Sequence, residues 1–155
     1  MSGQLESRDV RRVEWHIRHE REIRDAVTEA KNSAGGHTSG APSGHGSFAD
    51  HTAAQAIRNT DELRSVQLGS GETVEYPERW LSLIDAVRAW CVHDYVMQEI
   101  FTRVVARREW LPRSARRRMR DNLCEKLHIE KTTFYAKIDA IYLYAAGYAK
   151  GINLL

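Results

Sequence analysis

The stretch that most constrains the fold runs from Ser114 to Ala146, because no proline interrupts it. Leu123, Leu127 and Ile129 place branched apolar side chains just before and inside a short central turn, where two crossing helices must touch. After the turn, four apolar residues recur at helical spacing and give the second helix one buried stripe: Phe134, Ile138, Ile141 and Ala145. The stretch therefore has the pattern of a helix-turn-helix.

The first of these two helices is strongly basic. Residues 103–120 contain eight arginines and a single acidic residue, Glu109, so their local charge is +7 while the whole chain carries only +2. Charge concentrated in this way is typical of a surface that meets phosphates. Four arginines are the candidate phosphate contacts, which position a protein on DNA without reading its sequence: Arg113, Arg116, Arg117 and Arg120. The alternative is an ordinary helical bundle whose arginines form a solvated face.

The amino-terminal end of the second helix carries the candidate base-reading residues. In a helix-turn-helix, this end of the recognition helix meets base edges in the major groove. Six polar, small or cationic side chains are found there: Lys131, Thr132, Thr133, Tyr135, Ala136 and Lys137. Hydroxyl and methyl groups can contact several bases, and a lysine can prefer guanine. These six residues are the predicted site of base readout.

Two residues depart from the usual form of the motif. His128 stands at a turn position where glycine is common, and Cys124 stands in the first helix where a small residue is usual. Cysteine is a compact apolar residue, and histidine adopts left-handed backbone more readily than branched residues do. Neither residue is incompatible with a helix-turn-helix.

Residues 1–31 are predicted to form an amino-terminal helical arm. The charged segment from Ser7 to Lys31 lacks glycine and proline, but its apolar stripe is thin. Such a helix cannot bury much by itself, so it is expected to pack on another copy, as a homodimer through residues 7–31, or on another protein. Trp15 is the expected anchor of that contact. The alternative is a solvated helix in equilibrium with coil.

The rest of the chain divides by composition. Residues 32–47 are rich in glycine and serine and are predicted to be a flexible linker. Residues 48–76 are predicted to form a connector, with a helix over 48–63 and then a hairpin or ordered loop. Residues 77–155 are predicted to be the DNA-binding domain, with helices that begin at Pro77 and after Asp94. The expected fold class is thus all-α: a helical bundle that ends in the helix-turn-helix, with a long amino-terminal helix on a flexible linker.

Several other classes of protein are disfavoured by the sequence. No apolar run approaches the roughly 20 residues that span a bilayer, and no apolar core of a secretory signal follows Met1. We therefore expect a cytoplasmic protein with reduced thiols at Cys91 and Cys124. The cysteines and the seven histidines fit no structural zinc spacing, so no metal is expected. No phosphate-binding glycine loop or catalytic spacing is present, and we expect neither a cofactor nor an enzyme.

In this order along the chain, four segments resemble the RinA-type phage transcriptional regulators, which are related to the ArpU-like late regulators and are similar to the fourth region of sigma factors. The segments are Val13-Glu14-Trp15, Asp50-His51-Thr52-Ala53, Tyr76-Pro77-Glu78-Arg79-Trp80, and residues 127–135 with the sequence LHIEKTTFY. Family members tend to have proline where His51 stands and serine where Glu130 stands. The second difference weakens the cap of the recognition helix.

The resemblance implies a phage-encoded transcriptional activator. It implies that the last helix binds specific sequences in double-stranded DNA, that the protein contacts bacterial RNA polymerase, and that it acts at the nucleoid of the host cell. The residues alone support DNA binding at most. Two alternatives stay open, a DNA-packaging adaptor similar to small terminase subunits and a helical protein-interaction module. Large rings in solution would indicate the first alternative, and a lack of salt-dependent heparin binding would indicate the second.

Overall fold

The structure, a computed structural model, describes residues 6–36 and 61–155. In chain order the elements are α1 (Ser7–Arg18), α2 (Glu20–Gly36), β1 (Ser65–Gln67), β2 (Thr73–Glu75), α3 (Pro77–Cys91), α4 (Tyr95–Ile100), a π-helical segment (Phe101–Val105), α5 (Arg113–Leu127) and α6 (Lys131–Gly151). The described residues are mostly helical, with one small sheet, which agrees with the predicted all-α class. Residues 48–60 of the helix predicted over 48–63 lie outside the described residues, as do the linker residues 37–47.

The described chain forms two compact units. The first contains the amino-terminal residues up to Glu20 together with residues 79–155, and the second spans Arg21–Glu78. This division differs from the predicted one, in which residues 1–31 form an arm apart from residues 77–155. The difference arises because α1 packs against α6 and against the π-helical segment within the first unit.

The predicted single helix over 7–31 is two helices, separated at His19. Both the main-chain N–H and the ring Nδ1 of His19 bond to the carbonyl oxygen of Trp15, at 3.1 and 2.7 Å. A side chain that competes for a helix carbonyl in this way favours a helix end over helix continuation. The indole of Trp15 stacks on the His19 ring with centroids 4.1 Å apart, so it makes a local contact at this break.

The apolar stripe of α1 is covered within the chain itself. Val13 and Ile17 are fully buried, and Asp9 forms an ion pair with Lys150 of α6 at 3.6 Å. Since the unit to which α1 belongs already covers this stripe, the stripe no longer argues for a homodimer through residues 7–31. The homodimer stays a prediction without that support.

In the second unit, α2 continues to Gly36, so residues 32–36 of the predicted linker are helical. β1 and β2 form an antiparallel hairpin, with Val66 opposite Val74, which is the first of the two alternatives predicted for this region. Gly71 adopts a φ of +93° in its turn, where a side chain would strain the backbone. Glu78 connects two parts of this unit. Its carboxylate accepts a hydrogen bond from the N–H of Leu63 at 2.9 Å and forms an ion pair with Lys31 of α2.

The two helices that follow the hairpin begin where the sequence predicts them. α3 begins at Pro77 and ends at Cys91, and the carboxylate of Asp94 caps α4 by accepting from the N–H of Met97 at 3.2 Å. The helix predicted to begin after Asp94 widens from Phe101 into the π-helical segment, in which the N–H of Ala106 bonds to the carbonyl of Phe101. Large side chains from α1, α3, α4 and this segment are fully buried and form the core: Ile17, Trp80, Leu83, Ile84, Ile100 and Phe101.

Candidate functional site

Three residues join α5 to α6. His128, the first of them, adopts the left-handed conformation with φ +55° and ψ +43°. This backbone allows the N–H of His128 to bond to the carbonyl of Glu125, and that of Ile129 to bond to the carbonyl of Cys124 at 3.0 Å. The two helices predicted from the sequence are therefore joined by a tight turn, and His128 takes the role usual for glycine.

The stripe predicted on α6 is mostly buried. Phe134, Ile141 and Ala145 are buried, and Ile138 is half-buried. Glu130 precedes α6, which starts at Lys131, but its side chain makes no capping hydrogen bond to the helix. Glu130 in place of serine is expected to weaken the cap, and the side-chain cap is indeed absent. The helix nevertheless starts at Lys131, as predicted.

The six predicted base-reading residues do not share one open face. Lys131, Thr132, Tyr135 and Ala136 are exposed, whereas Thr133 and Lys137 are half-buried. Thr132 and Ala136 lie four residues apart and so point from the same side of α6. Lys131 and Tyr135 are exposed on the neighbouring side, and only Thr133 and Lys137 turn partly toward the protein.

Four of the six side chains already have partners within the unit, and one of them is Thr132, whose hydroxyl donates to the Glu130 carboxylate at 3.5 Å. The ammonium of Lys137 lies 2.5 Å from the Asp94 carboxylate, and the ammonium of Lys131 lies 3.8 Å from the Asp121 carboxylate. The hydroxyl of Tyr135 accepts a hydrogen bond from the guanidinium of Arg120 at 2.8 Å. The Lys137 ammonium is therefore engaged by Asp94 in this structure, and its role in base readout stays a prediction.

The pair of Asp94 and Lys137 joins α6 to the start of α4. The hydrogen bond from Lys137 lowers the pKa of the Asp94 carboxyl, and the N–H of Met97 lowers it further. The same carboxylate thus caps α4 and holds the lysine. Through this pair, the first turns of α6 are fixed relative to the core of the unit.

Replacing Asp94 with alanine is expected to lower the free energy of unfolding by about 1 to 2 kcal/mol, because α4 loses its cap. Asp94→Asn is the matched control, since asparagine caps a helix nearly as well but leaves Lys137 without a carboxylate. We expect a smaller loss for this variant. Urea denaturation followed by circular dichroism measures both values. Equal losses in the two variants would show that the cap is not the main contribution.

The four predicted phosphate-binding arginines lie together in one groove of about 450 Å³. Arg113, Arg116 and Arg117 are exposed, and Arg120 is half-buried. The groove lies between α5, α6, α1 and the chain from the π-helical segment to Leu111. Six arginines and two glutamates give its lining a net charge of +4: Arg18, Arg107, Arg113, Arg116, Arg117, Arg120, Glu14 and Glu109.

The floor of the groove is apolar and aromatic. It is formed by Val104, Leu111, Met119, Phe134, Ile138 and Tyr142, with Tyr135 at its side. The guanidinium of Arg120 lies 5.9 Å from the ring centroid of Tyr135, so cation–π attraction adds to their hydrogen bond. A cationic rim thus surrounds an apolar floor.

The sequence predicts four arginines of the rim. It does not assign the other two, Arg18 and Arg107, or the floor to the site. Arg18 and Glu14 come from α1 and form an ion pair at 2.9 Å. Their spacing of four residues indicates only a surface pair on a helix. No local signal places α1 beside α5, so these residues could not be assigned to the site from the sequence.

The cysteines do not form a reactive site. Burial raises the pKa of the Cys91 thiol to about 11 and also raises the pKa of Cys124. Both thiols are therefore poor nucleophiles near neutral pH. Across residues 6–36 and 61–155, no three side chains of the metal-ligating types come together.

Within the part of the chain that the structure describes, no helix is both long enough and apolar enough to cross a membrane. Comparison with known proteins adds no relative: the chain matches no family model, no curated protein and no solved structure.

Proposed function

We propose that the protein binds double-stranded DNA and acts as a transcriptional activator with bacterial RNA polymerase, as the resemblance to the RinA-type regulators implies. The observation that carries the DNA-binding part is the position of the arginines. Arg113, Arg116 and Arg117 are exposed on α5, directly beside the amino-terminal turns of α6. Phosphate contacts from one helix and base contacts from the next are the arrangement that a helix-turn-helix requires.

The proposal divides the site into residues that position the DNA and residues that read it. The exposed arginines contact phosphates, because their planar guanidinium groups bond phosphate oxygens in pairs. Thr132 and Ala136 face outward and contact base edges, and the exposed Lys131 joins them. Lys137, which Asp94 holds, orients α6 and does not contact bases.

The salt dependence of binding to a random-sequence duplex tests this assignment. Each lost phosphate contact makes the slope of log K against log salt shallower by about 0.9. We therefore expect the variant with Arg113, Arg116 and Arg117 all changed to glutamine to lose about 2.7 from the slope. Fluorescence anisotropy with a labelled duplex measures it.

The matched control removes the same charge elsewhere. Arg8, Arg11 and Arg64 are also exposed, and none of them lines the groove. Changing these three to glutamine is expected to leave the slope close to that of the unmodified protein. If the two triple variants behave alike, only net charge matters and the proposed site is wrong.

Sequence specificity and activation need a further step. Selection from a random duplex pool is expected to yield one enriched site. That site, placed upstream of a promoter, should raise run-off transcription by purified bacterial RNA polymerase. An enriched site with no change in transcription would support specific DNA binding but contradict the proposed role as an activator.

A further inference from the structure

The groove has more apolar surface than phosphate binding requires. Phosphates need only the cationic rim, and the sugars of a duplex backbone offer small C–H groups but no flat apolar face to cover a floor. Yet five of the six floor residues are only half-buried and so remain partly open to solvent: Val104, Leu111, Met119, Ile138 and Tyr142. Apolar surface of this kind is stabilised when a ligand covers it.

Aromatic side chains extend this surface at the edges of the groove. Tyr135 is 48 % exposed, and its ring is held by Arg120. Trp110 is 77 % exposed, and both of its neighbours in the chain, Glu109 and Leu111, line the groove. Exposed aromatic rings beside arginines are the surface on which unpaired bases stack.

Charge decides against a second copy of this chain as the occupant. The lining carries +4, and Trp110, the most exposed large apolar side chain of the described residues, follows Arg107 and Arg108 closely in the chain. Inserting Trp110 of one copy into the groove of another would bring arginines against arginines. The occupant must therefore be anionic.

The rim favours a nucleic acid strand over an acidic peptide. Every cation of the rim is an arginine, which bonds phosphate in pairs and stacks on planar rings. Arg113, Arg116 or Arg117, and Arg120 follow one another on successive turns of α5, about 5.4 Å apart along its axis. A strand presents a phosphate and a flat base at every nucleotide, so one ligand uses both the row of arginines and the floor.

We propose that this groove binds an unpaired nucleotide of a nucleic acid strand, with the base on the floor and the flanking phosphates on the rim arginines. A volume of about 450 Å³ lies within the range of pockets that enclose one small ligand. In a paired duplex the base faces are covered by their stacked neighbours and cannot reach the floor. The proposal rests on the proposed function in one respect, the assignment of these arginines to phosphates.

Three labelled DNA probes of equal length test the proposal by fluorescence anisotropy. They are a single strand, a strand of the same phosphate count in which the bases are replaced by abasic sites, and a paired duplex. Stacking of one base on aromatic side chains changes affinity by about 5- to 150-fold. We expect the single strand to bind at least about tenfold more tightly than the abasic strand.

Met119→Gln tests the floor, because glutamine has a similar length and keeps an acceptor for the Arg107 guanidinium, which now bonds the Met119 sulfur at 3.4 Å. We expect Met119→Gln to bind the normal single strand only as tightly as the unmodified protein binds the abasic strand. Its affinity for the duplex is expected to stay unchanged. Leu143→Gln is the control, since Leu143 is 59 % exposed and lies outside the groove. Circular dichroism shows whether both variants stay folded.

Each outcome separates this proposal from the proposed function. Equal affinity for the normal and abasic strands, with normal duplex binding, overturns the groove proposal and leaves DNA binding intact. The groove proposal is also overturned if Met119→Gln has no effect, or if a peptide of glutamate, phenylalanine and leucine displaces the strand at lower concentration than unlabelled strand does. If the protein binds neither strand nor duplex, both proposals fail.

Discussion

Replacing Trp80 with alanine is expected to lower the free energy of unfolding by about 3 to 5 kcal/mol, the range for removing a large aromatic side chain from a core. Trp80 is 1 % exposed. Its indole stacks on the ring of His16, with centroids 3.6 Å apart and planes inclined by 7°. The guanidinium of Arg12 lies 5.8 Å from the same indole. The substitution therefore leaves a cavity and also uncovers one face of a buried histidine.

Chemical denaturation followed by circular dichroism measures the loss. Trp110→Ala is the matched control, because the same residue type is removed from a position that is 77 % exposed. Surface substitutions of this kind usually change stability by less than about 0.5 kcal/mol. A loss below about 1 kcal/mol for Trp80→Ala, or equal losses in the two variants, would show that α1 and α3 are not packed through this indole.

The contact between Trp80 and α1 illustrates what the sequence alone could not predict. Periodicity identified the helix that begins at Pro77 and the apolar pair Val13 and Ile17 of α1, because both signals are local. It could not identify what covers that pair, since the covering residues lie more than 60 positions further along the chain. From the sequence alone, a thin stripe with no local partner therefore predicts a surface for another molecule.

The candidate site was predictable to the same extent. The arginines of α5 and the start of α6 follow from composition and from the apolar residues around the turn. The groove does not follow, because its remaining walls come from α1 and from the chain after the π-helical segment. The sequence places Lys137 among the candidate base readers for the same reason. Its position near the start of a recognition helix is local information, whereas its partner Asp94 is 43 residues away.

His16 is the clearest case of a residue with no sequence signal. It falls on the apolar side of α1, three residues after Val13, and is only 8 % exposed. Its Nδ1 donates to the carbonyl of Arg12 at 2.6 Å, which satisfies one ring nitrogen without any charge partner. Burial is the main cause that lowers the pKa of His16 from 6.5 to about 4. The ring is therefore neutral at physiological pH, and its burial depends on that neutrality.

This neutrality predicts that the protein loses stability as the pH falls from 6.5 to 4. In the unfolded chain His16 takes up its proton near pH 6.5, whereas in the folded protein it does so only near pH 4. The unfolded state thus binds more protons in this window, and the free energy of unfolding falls by about 1.4 kcal/mol per pH unit. The total loss from this residue is about 3 kcal/mol, complete below pH 4 and absent above the unfolded pKa.

Denaturation curves at a series of pH values measure this loss, and His16→Gln is the comparison, since glutamine is polar and does not titrate. The variant is expected to be less stable than the unmodified protein at pH 7 but to lose about 3 kcal/mol less between pH 6.5 and 4. The Asp94 carboxyl, whose pKa is lowered by its bond to Lys137, loses its contribution mainly below its ordinary pKa of 3.8, where the unfolded chain takes up the proton, so most of that loss falls below this window. Parallel pH profiles for the two proteins would mean that His16 is charged or exposed in the folded state. The stack on Trp80 would then not be the contact that holds α1 in place.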